Sequence, residues 1–437
     1  MQTTQPKGIY FLSSVEMWER FSYYGLRALL SLFLISVCVG YNKAEASKLF
    51  GWFISLVYVT PILGGYIADR FIGKRYSITI GAIITATGQF VLAAYEVMPA
   101  KLSLFLGLLL VIIGTGFIKP NISAMVGELY ELDDRRRDKG FAIFYVGINI
   151  GSALAPLICG YLGQGIAWKY GFMAAGCGML LGMVIYLCLG KRYLGDIGLR
   201  PVHKMEANPK TDVNQSLSKK DWDKIKAICT FTFFAALFWA FYEQAGASLT
   251  FFAEEATTLP VVRIFGQSIQ IRSSFLLSIA PLFVLILAPL SADLWSFLRK
   301  KSQEPSIPTK FGWGLFLQGI AFSIMIVGSA VYLKAGPVSM VFLILTYFFC
   351  TLGEVCLSPI GLSTVTKLSP PKLVGMMMGI WFISNFIGGK LAGILSSFYD
   401  ELQLTTLFSI PAICSIVFAV FIWLLSKKIK LWMHGVE

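Results

Sequence analysis

Residues 16–25 read Glu16-Met17-Trp18-Glu19-Arg20-Phe21-Ser22-Tyr23-Tyr24-Gly25 and stand near the start of an apolar stretch that continues to Val39. Ionisable groups inside a membrane span are costly to bury and mark ion or substrate paths. Glu16, Glu19 and Arg20 therefore point to a chain that moves something across a bilayer and uses their protonation or pairing to do so.

The rest of the chain reads the same way. Of 437 residues, 56% are hydrophobic and 14% charged, with the apolar residues in repeated runs. Runs of about 20 residues match a hydrocarbon layer about 30 Å thick. Twelve spans are predicted, over 14–39, 49–68, 77–95, 102–121, 141–163, 170–189, 225–252, 273–298, 313–333, 338–357, 374–397 and 407–425. Six lie on each side of the longest polar stretch, 191–223, whose mixed Gly, Pro, Asn, Asp and Lys make it an exposed connection with room for a short lateral helix. The expected organisation is a six-helix bundle over 1–190, a linker over 191–223 and a second six-helix bundle over 224–437.

A net charge of +13 raises the question of nucleic acid, but the basic residues gather in alternate connections. They include Arg70, Lys74 and Arg75, then Arg135 to Arg137, Arg299 to Lys301, and Lys427, Lys428 and Lys430. That alternation is the positive-inside pattern of a multi-pass membrane protein, and it places both termini in the cytoplasm. No nucleic-acid partner is expected. No basic segment with a small-residue cleavage site precedes the first span, so the first helix is expected to stay as an anchor. The eight cysteines fall mainly inside spans without metal-ligand spacing and read as packing residues.

Further polar residues within the spans are Arg27, Lys119, Asn149, Glu243 and Glu354. Each is expensive against lipid, so each is expected to face the bundle interior. Helical spacing lets Arg20, Tyr23, Tyr24 and Arg27 share one broad face. Glu16, Glu19 and Arg20 are either a fixed ion network between helices or a network that switches. Lys119 in the first half and Glu243 and Glu354 in the second would suit a zwitterion, with a cationic pocket for its carboxylate and an anionic one for its amine. Protonation of Glu243 would release a basic partner such as Arg27 and bias which side of the cavity is closed. The alternative for either late glutamate is a neutral carboxyl hydrogen-bonded in helix packing.

These residues carry a resemblance over nearly the whole length. The chain resembles the proton-dependent oligopeptide transporter family of the major facilitator superfamily. Glu16-x-x-Glu19-Arg20-Phe21-x-Tyr23-Tyr24-Gly25 is its strongest mark, followed by Gly64-Gly65-Tyr66-Ile67-Ala68-Asp69-Arg70 with Gly73, Lys74 and Arg75. The fifth span adds Phe144-Tyr145-x-x-x-Asn149-x-Gly151-Ser152, with Ala153 where Leu is usual.

The resemblance implies an all-α polytopic membrane protein in a bacterial inner membrane, with twelve transmembrane helices in two six-helix bundles. It implies proton-coupled symport of di- and tripeptides by a monomer, with no enzyme activity and no cofactor or metal. Glu16, Glu19, Arg20 and Glu243 would couple protons, and Arg27 would pair with Glu243 at a gate. Arg20 and Lys119 would hold the peptide carboxylate and Glu354 the amine, with Tyr24, Tyr58, Asn149 and Trp381 lining the site. Protons, peptides and membrane lipid are the implied partners.

Two departures are visible. Ala280-Pro281 stands where many members have Asn-Pro, which shifts recognition of the amine towards Glu354, and the linker is too polar for the two additional helices of many bacterial relatives. Uptake of another small solute and a non-transporting receptor are the competing readings. An enzyme fits poorly, because His203 and His434 lack neighbouring ligands and no phosphate-binding Gly-rich loop is present.

Overall fold

A backbone in lipid has no water to bond, so it must satisfy its amides internally, and a helix does this within one segment. The computed structural model, which describes residues 4–131, 134, 136–201, 217–264, 266–370 and 373–436, is accordingly nearly all helix. The long helices are α1 (Lys7–Ile35), α2 (Lys43–Ile67), α3 (Lys74–Ala93), α4 (Ala100–Glu128), α5 (Arg137–Gly165) and α6 (Trp168–Leu194). They continue with α7 (Lys219–Tyr242), the short α8 (Ser248–Glu255), α9 (Ile279–Lys300), α10 (Ile307–Ala335), α11 (Val341–Leu368), α12 (Val374–Ser396) and α13 (Leu404–Met433).

Eleven segments of the described chain are long and apolar enough to cross a membrane, with α7 and α8 forming one of them. The twelfth predicted span is α1, whose 29 residues suffice in length but include Glu16, Glu19, Arg20 and Arg27. The chain is a multi-pass membrane protein of all-α class.

Several boundaries differ from the sequence reading. The first helix begins at Lys7 rather than at 14, which puts Glu16, Glu19 and Arg20 three turns inside it. The fourth and tenth spans, expected to end at 121 and 357, run through Pro120 and Pro359 to Glu128 and Leu368. Proline removes one amide donor, and nearby side chains stabilise the carbonyls around it. Asn121 Nδ2 donates to Phe117 O at 2.8 Å, while Ser77 Oγ, from α3, donates to the same oxygen at 3.0 Å. The seventh span is broken rather than continuous, with a 3-10 turn over Glu243–Gly246. Ala280-Pro281 falls in the first turn of α9, where a missing amide costs no helical bond. The lateral helix considered within 191–223, and His203 with it, falls in a stretch whose 202–216 lie outside the described residues.

A hairpin that the sequence did not suggest pairs β2 (Val261–Ile264) with β3 (Gln267–Gln270), and β1 (Thr257–Thr258) runs parallel to β4 (Val338–Ser339).

The contacts divide the chain into one unit of Met1–Tyr41 with Leu56–Pro209 and another of Asn42–Ser55 with Lys210–Glu437. In the first, α1 packs on α5 and α6, and α3 on α4 and α6. Gly151 is the close approach that matters most, since a Cβ there would strike the carbonyl of Met17 and lie 3.2 Å from Arg20 Cβ. In the second, α7, α10, α11, α12 and α13 surround a core that includes Phe231, Phe238, Phe311, Leu315 and Trp381. The opening half of α2 belongs to it: Lys43 Nζ lies 2.6 Å from Glu255 Oε1 and 2.8 Å from Asp400 Oδ1, and Ser55 Oγ donates to Phe386 O at 2.8 Å.

Candidate functional site

In the first unit the α1 charges form one cluster. Glu16, Glu19 and Arg20 are 3%, 1% and 5% exposed. Arg20 Nε lies 3.0 Å from Glu16 Oε1, one turn away, and also contacts the Glu19 carboxylate. Its guanidinium centre sits 5.6 Å from the centroid of the Tyr23 ring, an arrangement suited to a cation against a π face. Two carboxylates and one guanidinium leave one negative charge to balance. A proton could balance it, or a second cation, and Lys119 on α4 is near enough for its charge to act on Glu16.

Lys119 Nζ stands 3.8 Å from the centroid of the Tyr58 ring, so the structure brings these two predicted residues together. Arg27 lies two turns beyond Arg20 on α1, with its guanidinium 5.6 Å from the Tyr24 ring centroid. Tyr24, Tyr58 and Lys119 are half-buried, which leaves each with an accessible edge. Asn149 is buried on α5, and its Nδ2 donates to Tyr145 O at 2.8 Å. Its helix reaches the ionic turn of α1 because Gly151 permits the approach described above.

In the second unit, Tyr242 Oη donates to Glu354 Oε2 at 2.6 Å, joining α7 to α11. Glu243, 3% exposed, opens the 3-10 turn. Trp381 is 4% exposed, set edge-on to Phe311 with ring centroids 6.4 Å apart, and covers Gly361. It is part of that unit's hydrophobic core.

Sequence reasoning passed over three residues. Tyr242 and Gln244 flank Glu243 in Trp239-Ala240-Phe241-Tyr242-Glu243-Gln244, and only the acid stood out by its charge. Lys390 of α12, whose Nζ lies 3.4 Å from the Trp52 ring centroid, was visible as a cation inside a span. Among the described residues there is no group of His, Cys, Asp and Glu able to hold a metal ion.

Buried charges on α1, a cation on an aromatic face and a tyrosine-capped glutamate are fittings of a membrane transporter rather than of a hydrolytic or redox centre. The family model described as POT family matches residues 75–200 and 199–424, and the chain belongs to that family. It is 34% identical to the uncharacterized transporter YclF of Bacillus subtilis (strain 168), over 99% of this chain and 96% of that one. It is 32% identical to the di-/tripeptide transporter of Lactococcus lactis subsp. lactis (strain IL1403), over 99% of this chain and 97% of the other. A crystal structure of a peptide transporter POT in complex with sulfate superposes with a TM-score of 0.89 at 31% identity, covering 98% of this chain and 96% of its own. Membership places the chain among transporters and not among enzymes.

Proposed function

We propose that the chain is a proton-coupled symporter that carries di- and tripeptides into the cytoplasm by alternating access. The observation that carries this reading is the buried α1 cluster, two carboxylates sharing one guanidinium, in a member of a family with a named di-/tripeptide transporter. Such a cluster favours taking up a proton or a second cation, because an uncompensated buried charge is costly.

In this reading Glu16, Glu19, Arg20 and Glu243 couple the proton, and Arg27 with Glu243 forms a gate. The peptide carboxylate takes Arg20 and Lys119 as its cations, and the amine goes to Glu354, already oriented by Tyr242. Tyr24, Tyr58 and Asn149 line the site, Trp381 supports it from the hydrophobic core of its unit, and backbone recognition with aromatic walls leaves side-chain choice broad. Two helical halves, 1–190 and 224–437 joined by 191–223, would rock about the site. A membrane potential of 100 mV would add about 2.3 kcal/mol per proton moved inward. The protein would work as a monomer surrounded by lipid in a bacterial inner membrane, with both termini cytoplasmic, a placement that the basic connections support.

Uptake of labelled dialanine into liposomes, with and without an inward proton gradient, tests the reading. Gradient-driven accumulation lost in Glu243→Gln is the expected result; absence of peptide flux from folded protein would transfer the site to another small zwitterion.

A further inference from the structure

The glutamate assigned above to proton coupling stands at a helix break, and its neighbour fastens that break. α7 ends at Tyr242, the chain makes a 3-10 turn over Glu243–Gly246, and helix resumes at Ser248 after Ala247 at φ −131°, ψ −92°. Gln244 is 1% exposed. Its Nε2 donates to Ala240 O at 3.1 Å and Ala392 O at 3.2 Å. Its Oε1 accepts from Ser248 Oγ at 2.6 Å and Ser396 Oγ at 2.7 Å.

A primary amide has two donor hydrogens and two acceptor lone pairs, so all four valences are used. The two carbonyls can only accept, which fixes the nitrogen towards them and the oxygen towards the hydroxyls. Ala240 lies one turn before Gln244 and Ser248 lies at the start of α8, so the side chain spans the gap in the helix. Ala392 and Ser396 lie one turn apart on α12, so it also ties both sides of the gap to that helix. Gly246 has no space for a Cβ, which would meet the ring of Phe50. A buried amide with every partner in place is a rigid device, and unlike a salt bridge it holds its position without a charge of its own.

We propose that Gln244 is the positioning residue for Glu243. By clamping the 3-10 turn to α12 it fixes where the Glu243 carboxylate stands, so proton coupling depends on it while peptide passage does not. The inference rests on the proposed role of Glu243 in peptide symport.

The test compares proton-driven uptake with peptide counterflow, which needs binding and translocation but no net proton movement, for wild type, Gln244→Leu, Ser396→Ala and Glu243→Gln with and without Gln244→Leu. The expected result is a loss of about tenfold in proton-driven uptake for Gln244→Leu, with counterflow KM and rate near wild type and a smaller loss for Ser396→Ala. In the Glu243→Gln background, Gln244→Leu should add no further loss, the non-additivity of residues acting through one another. Equal losses in both assays, or additive losses in the double variant, would overturn the proposal. If Gln244→Leu does not fold, Ser396→Ala decides by the same split. If wild type moves no peptide, the peptide reading fails, and amide exchange over 243–248 decides the clamp: faster exchange in Ser396→Ala supports it and unchanged exchange removes it.

Discussion

The ionic turn of α1 and the break after α7 both hold buried glutamate, yet they do so by opposite means. On α1, Glu16 takes the guanidinium of Arg20 from the next turn and Glu19 takes it from the adjoining residue. Around the break, Glu354 takes a tyrosine hydroxyl from another helix, and Glu243 stands next to an amide whose four partners lie on α7, α8 and α12. On α1 charge meets charge within one helix; at the break the neutral Gln244 amide meets its partners through tertiary packing. In the proposed coupling role the α1 cluster would respond to a proton or counter-ion within one helix, whereas the break is tied to α12.

Arg20→Ala should break this contrast most severely. It leaves two carboxylates buried without their guanidinium, a change worth about 3–5 kcal/mol, and uptake by reconstituted protein should fall below detection with a lower melting temperature. If Arg20→Ala transports normally, the α1 cluster is no more than packing.

Gly151→Val attacks the same cluster through geometry rather than charge. The new side chain would drive α5 away from the Met17 carbonyl and Arg20, at about 1–3 kcal/mol by the usual cost of overpacking. Uptake should drop with the charges intact, measured beside Gly375→Val, where nothing lies within 4 Å and the neighbours do not resist a side chain.

On the other side of the comparison, Tyr242→Phe removes a single neutral donor to Glu354. A hydrogen bond to a charged group is worth about 1.5–3 kcal/mol, so peptide KM should rise about tenfold while the maximal rate changes less. A normal KM would take Tyr242 out of substrate recognition.

The smallest effect is expected outside the membrane, at the α9–α10 connection. Hydrogen bonds from Arg299 Nε at 2.6 Å and from Lys310 Nζ at 2.5 Å hold Glu304 down to about 2. A carboxyl lowered by folding stabilises the fold above its unfolded value of 4.5 and loses that contribution as pH falls towards about 2. Glu304→Gln should melt slightly below wild type at pH 6, and the gap should close as the pH is lowered through that window. A constant gap would mean that shape, not charge, holds the connection.

What was legible follows the same division. The spans, the family and the α1 cluster could be read because apolar length and charge within one helix are local properties; Glu16, Glu19 and Arg20 are neighbours in the sequence and remain so in space. The fourth and tenth spans, expected to end at 121 and 357, run further because hydropathy falls where polar side chains enter, while the backbone still has to satisfy its amides. Tyr242 and Gln244 escaped notice because a neutral polar residue gains meaning only from its partners, here 112 residues away for Glu354 and 148 and 152 for Ala392 and Ser396.

The sequence by itself determined that this is a multi-pass transporter-type membrane protein with an ionic turn in its first helix, because burying charge in lipid is so costly that its presence is informative without a structure. Only the tertiary structure decided that the seventh span breaks at Glu243, that Lys119 lies on the Tyr58 ring, and that the opening half of α2 bonds to α8 and α12. Those outcomes depend on which helices approach closely enough to exchange hydrogen bonds, and no local pattern encodes that.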